Sequence, residues 1–374
     1  GSFCAEFCKK TNLYYLPSAF AQVVYFTTER IAKQERLSRF SQWRLATAGT
    51  MHMGGNMELK LTAVGDGRTA ELPFGCVVIR ARRMAGAGVM EVFTPDTSVP
   101  LRCGMQLTLA ADGNDIFSGY IFTLESSRFG RTMTAADGIR YLLCRDTKVY
   151  TNMSASAIVR DICGERGLTL GGAEDYGIVL PSLVADRQTL LDIISTACTE
   201  SEKMGGGKLT FLDDAGQLRL MREESLDTGL TLTGENLISS CIVSADIGTD
   251  TYNRIQLVRK NRRTGQREFF VQEDAASIAR WGVLQYSETL PQNTEDSEIN
   301  QRLSGLLSQK NRELTRLQLT AAGALLCRAG FLIRVSLPEM GIDGKFRILE
   351  SEHRFTTGGY TMKLVASEQS EGGI

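Results

Sequence analysis

From residue 58 to about 134 apolar and polar positions alternate in short runs separated by turn residues, which predicts strands at 77–82, 89–93, 106–110, 116–124 and 131–134. Asp112-Gly113-Asn114-Asp115 lies between two of them and tolerates positive φ, so it reads as a hairpin turn. The period then changes. Ser154 is a good N-cap, and Ala157, Ile158, Ile162 and Cys163 share one helical face until Gly164 and Gly167. A second helix is expected over 188–204, with Leu190, Leu191, Ile194, Ala197 and Cys198 repeating every three to four residues before Gly205-Gly206-Gly207 stops it. Runs 208–212 and 217–221 flank Asp213-Asp214-Ala215-Gly216 as a hairpin. Strands return at 237–245, 254–259 and 267–271. Residues 293–319 read as one long polar helix with Ile299, Leu303, Leu306, Leu307, Leu314 and Leu317 as its stripe. The end is β again, at 331–337, 345–352 and 360–365.

These elements make a mainly β chain with an α+β insertion: two tube-like antiparallel β-barrel domains, a small α+β module and a long helix. The expected divisions are 1–56, an extraneous or poorly structured N-terminal extension; 57–144, the first β domain; 145–228, the α+β module; and 229–374, the second β domain with a helical insertion at about 293–320. The two β regions echo each other. Gly104-Met105-Gln106-Leu107-Thr108-Leu109 leads to Phe117, Arg128-Phe129 and Thr132-Met133. Gly330-Phe331-Leu332-Ile333-Arg334-Val335 leads to Phe346, Arg354-Phe355 and Thr361-Met362. Gly104 and Gly330 are as far apart as Arg128 and Arg354, the spacing expected of a duplicated unit.

Charge and chemistry narrow the function. The 374 residues carry 42 Lys+Arg against 43 Asp+Glu. That balance argues against a protein that works by gripping phosphates. Residues 1–56 hold Lys9, Lys10, Arg30, Lys33, Arg36, Arg39 and Arg44 against Glu6, Glu29 and Glu35, so the remainder is acidic. With His52 and His353 as the only imidazoles, a multi-His metal site is excluded. The 9 cysteines form no Cys-x-x-Cys pair and sit singly in apolar runs, as small buried hydrophobes do. No run of about eighteen apolar residues predicts a membrane-spanning helix.

Candidate catalytic motifs fail individually. Gly86-Ala87-Gly88 is followed by Glu91 and a strand, not by a third glycine and a helix. Gly205-Gly206-Gly207-Lys208 ends a helix and is followed by Leu209 instead of Ser or Thr. Asp213-Asp214 are better turn residues than a glycosidase pair, and Glu352 and His353, adjacent on a strand, point to opposite faces. No catalytic, cofactor-binding or metal residue is therefore expected, and no cofactor. The basic run Arg254, Arg259, Lys260, Arg262, Arg263 and Arg267 forms a cationic hairpin, expected to face outward or toward another subunit.

The segments Ser154-Ala155-Ser156-Ala157-Ile158-Val159, Asp250-Thr251-Tyr252-Asn253-Arg254-Ile255, Ser277-Ile278-Ala279-Arg280-Trp281-Gly282-Val283-Leu284-Gln285 and Pro338-Glu339-Met340-Gly341-Ile342-Asp343-Gly344-Lys345-Phe346 resemble the baseplate hub proteins of contractile phage tails, of the Bacillus defective-prophage type. Glu352-His353-Arg354-Phe355 and Gly359-Tyr360-Thr361-Met362 complete the resemblance, which runs from about Met57 to the end. It implies a structural, non-enzymatic virion protein assembled in the bacterial host cytoplasm. The implied form is a homotrimeric ring, without membrane insertion, that joins a hexameric tail tube protein to a trimeric spike protein among other baseplate proteins. DNA passes through the lumen without specific binding. The alternatives are a tail-associated cell-wall hydrolase, which needs a catalytic constellation, and a monomeric binding module, which needs an exposed aromatic platform; Trp281 alone beyond the leader weakens the latter.

Overall fold

The computed structural model describes residues 50–52, 57–95, 99–239 and 241–369. The first β unit comprises β1 (Thr50–His52), β2 (Glu58–Gly65), β3 (Arg68–Glu71), β4 (Val77–Arg82), β5 (Val89–Pro95), β6 (Gln106–Ala111), β7 (Asn114–Ser127) and β8 (Gly130–Ala136). The α+β module follows with β9 (Arg145–Ser154), α1 (Ala155–Glu165), β10 (Leu170–Ala173), β11 (Val179–Thr189), α2 (Leu190–Lys203), β12 (Leu209–Asp214) and β13 (Gln217–Arg222). Next come β14 (Asp227–Thr233) and β15 (Ile242–Asp246), then an insert of β16 (Arg254–Lys260), β17 (Arg267–Glu273), α3 (Ala275–Trp281), β18 (Gln285–Leu290) and α4 (Asp296–Lys310). The chain ends with β19 (Leu314–Ala322), β20 (Leu332–Leu337), β21 (Ile342–Thr356) and β22 (Gly359–Glu368).

Local signals account for the helices. Ser154 and Thr189 accept hydrogen bonds from the backbone N–H of Ala157 and Asp192, capping α1 and α2. Ile158, Val159, Ile162, Ile193, Ile194 and Ala197 are fully buried against Leu209, Phe211 and Leu220 of the module. The insert has a core of its own: Ile299 and Leu303 of α4 pack on Ile255, Leu257 and Leu290. Two further cores belong to the β units. One is built around Leu59, Leu61, Leu107, Leu109 and Met133, the other around Leu317, Leu319, Ile333, Val335 and Leu364.

The β units are fused into one sheet, with strand order β1-β2-β6-β7-β8-β5-β4-β21-β22-β19-β15 and with β14 beside β20. Within it the order β6-β7-β8-β5-β4 is repeated as β20-β21-β22-β19-β15. The correspondence is close at single residues. Gly104 and Gly330 both adopt left-handed backbone, φ 87° and 99°. Gly104 N–H donates to the Ile121 carbonyl at 2.8 Å and Gly330 N–H to the Ile348 carbonyl at 2.7 Å. Ile121 and Ile348 N–H return 2.9 Å bonds to the Met105 and Phe331 carbonyls. The register slips immediately after both residues, between Ile121 and Thr123 and between Ile348 and Glu350, which is a β-bulge at the same place in each middle strand.

Several expectations are corrected. The long helix ends at Lys310, and Leu314 and Leu317 lie on β19. There Leu317, Leu319 and Ala321 are buried alternately, a period of two that a helix cannot present to one core. Within the repeat, Gly104 and Gly330 correspond, but Arg128 and Arg354 do not: Arg128-Phe129 form the turn between β7 and β8, whereas Arg354-Phe355 are paired on β21. The arms of β21 and β22 beyond the bulge are longer, so Thr132-Met133 match Thr361-Met362 only when counted back from the hairpin turn. Phe346 opposes Ile333 and therefore stands where Gly119, opposite Leu107, stands in the first unit, not at Phe117. Thr50–His52 pair with Lys60, Leu59 and Glu58, so regular structure begins upstream of Met57. Such backbone pairing needs no hydrophobic pattern. The other residues of 1–56 lie outside the described residues.

Candidate interaction surface

A cavity of about 230 Å³ opens where the β4–β5 loop, the module and the second β unit meet, lined among others by Arg83, Asp137, Asp213, Arg328, Ser351 and His353. It gathers the groups from which chemistry would have to be built. Asp137 is buried and its carboxyl is pushed well above the usual range, first by burial and then by the Asp213 charge. Burial also raises Asp213, against the hydrogen bonds from Gly216 and Gly138 N–H. Both acids are braces. Asp137 accepts Gly88 N–H at 2.8 Å and Ile139 N–H at 3.1 Å; Asp213 accepts Gly138 N–H at 2.9 Å and Gly216 N–H at 2.6 Å. Each carboxylate thus ties two backbone segments with both of its oxygens.

His353 is buried, and desolvation lowers it to about 4, keeping it neutral at pH 7. Its Nε2–H donates to the Cys327 carbonyl at 3.1 Å, which leaves Nδ1 to accept from the Tyr360 hydroxyl at 2.8 Å. Glu352 points to the other face and holds Arg80 Nε at 2.8 Å. Burial works against its charge, but Arg80 holds its carboxyl below the usual range. The Glu–His adjacency in the sequence therefore makes no dyad. Burial also pushes Cys163 and Cys327 up to about 11 and Cys198 up to about 12, away from thiolate chemistry. Among the described residues no three metal-ligating side chains cluster.

The polar side of the fused sheet is organised differently. Alternation puts Arg80, Arg82, Arg316, Arg354 and Lys363 on one face with Glu91, Glu125, Asp246, Glu350 and Glu352, as many carboxylates as cations. Arg80 bridges Glu91 at 3.0 Å and Glu352 at 2.8 Å, and so ties β5 of the first unit to β21 of the second. Arg82 meets Glu350 at 3.4 Å. Part of this face is a groove of about 430 Å³ running from Arg80 and Arg82 to Gln318 and Ile242. The face is polar and locally neutral.

The basic hairpin is placed elsewhere, on the separate β17-β16-β18 sheet. Arg259 is ion-paired with Glu268 at 2.8 Å and Asp296 at 2.7 Å, and Arg254 with Glu273 at 3.0 Å. Arg262, Arg263 and Arg267 are exposed. Sequence reasoning had no signal for the face itself, because its carboxylates and cations come from strands far apart in the chain; Arg80 and Glu352 are 272 residues apart.

The sequence model of the YQBQ-like family matches residues 79–366, most of this sheet and everything inserted in it. The chain belongs to the YQBQ-like family. It is 26% identical over 270 residues to the phage-like element PBSX protein XkdQ of Bacillus subtilis, covering 69% of this chain and 79% of that protein. In fold it is similar to a tail protein of Neisseria meningitidis, at a TM-score of 0.62 and 13% identity over 84% of this chain and 98% of that one. It also resembles the 43 kDa tail protein of prophage MuSo2 from Shewanella oneidensis, at 0.59 and 12% over 82% and 98%. Its resemblance is thus in sequence to a protein of a phage-like element and in β-rich fold to phage tail proteins. No helix among the described residues is long and apolar enough to cross a membrane.

Proposed function

We propose that this YQBQ-like protein is the baseplate hub of a contractile tail, a ring of three chains that adapts a sixfold tail tube to a threefold spike. The observation that carries this reading is the repeated strand order β6-β7-β8-β5-β4 and β20-β21-β22-β19-β15 within one sheet. A chain with two like units lets three subunits offer six similar elements to a hexameric partner, while the module and the insert, present once per chain, keep the threefold character. The 57–144, 145–228 and 229–374 divisions serve those roles as first tube unit, module and second tube unit. The polar face with balanced charge is the lumen wall. A duplex passing over it meets no net positive surface to hold its phosphates, so counterion release, the main source of nonspecific affinity, contributes little there. The ring assembles in the host cytoplasm and contacts tube, spike and other baseplate proteins without a cofactor.

The role is architectural and not enzymatic. A cell-wall hydrolase would need a carboxyl poised over its substrate, whereas Asp137 and Asp213 spend their oxygens on backbone amides. Native mass measurement with negative-stain imaging tests the reading: rings of three chains support it, and a monomer that clears peptidoglycan would replace it with the hydrolase.

A further inference from the structure

The seam between the two β units contains a pairing that the chain makes once and has the parts to make again. The two halves of β21 have different neighbours on the same edge: β20 lies along its first half, and β4 pairs with Glu350–Phe355, beyond the bulge. The equivalent strand β7 has β6 along its first half as far as Tyr120. Beyond its bulge, at Phe122–Ser127, no described strand covers that edge. The strand equivalent to β4 is β15, which pairs with β19 and, among the described residues, has an open outer edge.

The two open edges carry exposed apolar side chains. Ile242 is 57% exposed, Val243 38% and Phe122 40%, whereas Val78, the residue equivalent to Ile242 on the covered strand β4, is 6% exposed. Neither edge contains Lys or Pro, the residues that commonly guard a strand edge against pairing.

We propose that β15 of one chain adds in antiparallel register to the Phe122–Ser127 edge of a second copy, repeating between chains the β4–β21 pairing made within the chain. The internal copy fixes the register. Across four strands the row Ile121, Ala135, Met90, Ile79 corresponds to the row Ile348, Ala366, Leu317, Val243. Ile79 opposes His353, five residues beyond Ile348, so Val243 opposes Ser126 of the neighbour, and Ser244 opposes Glu125. Arg316, opposite Ser244 on β19, supplies a cation on the same face toward Glu125. Arg83 N–H donates to the Leu349 carbonyl at 2.8 Å, and alternation from there makes Arg80–Glu352 a non-hydrogen-bonded pair; Ser244–Glu125 inherits that character and the close Cβ approach that goes with it. The contact joins unlike surfaces, so it propagates head to tail and closes a ring instead of a twofold dimer.

This inference rests on the ring-forming hub reading, and the test separates the two. The doubly substituted chain Glu125→Cys/Ser244→Cys is oxidised at low concentration and run without reductant, beside untreated-sequence protein and the off-register chain Thr123→Cys/Ser244→Cys, whose sites are diagonal and too far apart for a relaxed disulfide. The expected result is a reducible covalent trimer from the first variant, at least about tenfold more abundant than from either control. In Ala245→Pro, the proline removes an N–H that by equivalence with Ala81 points to the open edge, so rings are lost while far-UV circular dichroism and the melting temperature of the chain are retained. Three-chain rings without the cross-link, or rings that survive Ala245→Pro, overturn this pairing and leave the hub standing. A protein that stays monomeric with its natural sequence overturns both.

Discussion

Phe355 sits at the seam that fuses the two β units, and replacing it tests whether they fold as one body. It lies on β21 of the second unit, opposite Val77 of the first, and belongs to the core of the first unit, where it is 0% exposed. Its ring stacks on Tyr360 with centroids 4.3 Å apart and planes 17° apart. Phe355→Ala removes a buried ring and leaves a cavity where the strands on either side hold each other, so the loss is about 3–5 kcal/mol, of which about 1 kcal/mol is the stacking. Phe355→Leu keeps most of the volume and costs about 1–1.5 kcal/mol. For a unit of this size about 4 kcal/mol lowers the melting temperature by about 8–16 °C. Calorimetry gives the shift, and hydrogen exchange locates it: protection falls together in β4, β5 and β21, while α1 and α2, with their separate core, keep theirs. A loss below about 1 kcal/mol, or exchange that rises in β21 and not in β4, refutes the idea that the seam is a shared core.

Three further outcomes follow from the site. His353 is held neutral by burial, at about 4 against an ordinary 6.5, so the unfolded chain takes up its proton first as the pH falls. Its contribution is intact above about pH 6.5 and declines by about 3 kcal/mol by pH 4, a slope that His353→Gln flattens in denaturant titrations across that window. Asp213→Ala strands the N–H groups of Gly138 and Gly216 and costs about 2–4 kcal/mol; an unchanged melting curve would show that water takes over both bonds. Because the exposed arginines of the β16–β17 hairpin lie on a sheet separate from the face proposed as the lumen wall, Arg262→Glu/Arg263→Glu leaves duplex DNA binding at the nonspecific level of roughly 10⁻⁴–10⁻⁶ M at physiological salt. Fluorescence anisotropy that finds sub-micromolar affinity abolished by these changes contradicts the placement.

What could be read from the sequence was local. The cap Ser154 and the apolar repeat from Leu190 to Cys198 mark two helices to within a residue or two, because capping and the apolar stripe act over a few positions. Gly104 and Gly330 are a true pair, because each supplies left-handed backbone at the same turn into the middle strand. Matching Arg128 to Arg354 failed, since extra residues in the β21–β22 arm shift the register without disturbing the alternation. β9 and β11 had no signal: they pair mainly with each other and carry exposed Val149, Val179 and Val184. The seam was invisible for a stronger reason. It joins Arg80 to Glu352 through backbone pairing, and no periodicity within either strand encodes its partner.

The paired bulges explain why the middle strand of each unit is the longest in it. To share one edge between two neighbours, a strand must change direction at the point where the first partner ends, or the second would collide with it. An inserted residue provides that bend and increases the local twist. β21, from Ile342 to Thr356, uses the bend fully, with β20 before it and β4 after it. β7, from Asn114 to Ser127, is built with the same bend yet, among the described residues, has only its first half covered on that edge. A bulge costs ladder hydrogen bonds, and an isolated unit would be better served by a straight, shorter strand. The inter-chain pairing proposed above supplies β7 with that second neighbour, and the only strand of the repeat without a partner on its outer side, among the described residues, is β15.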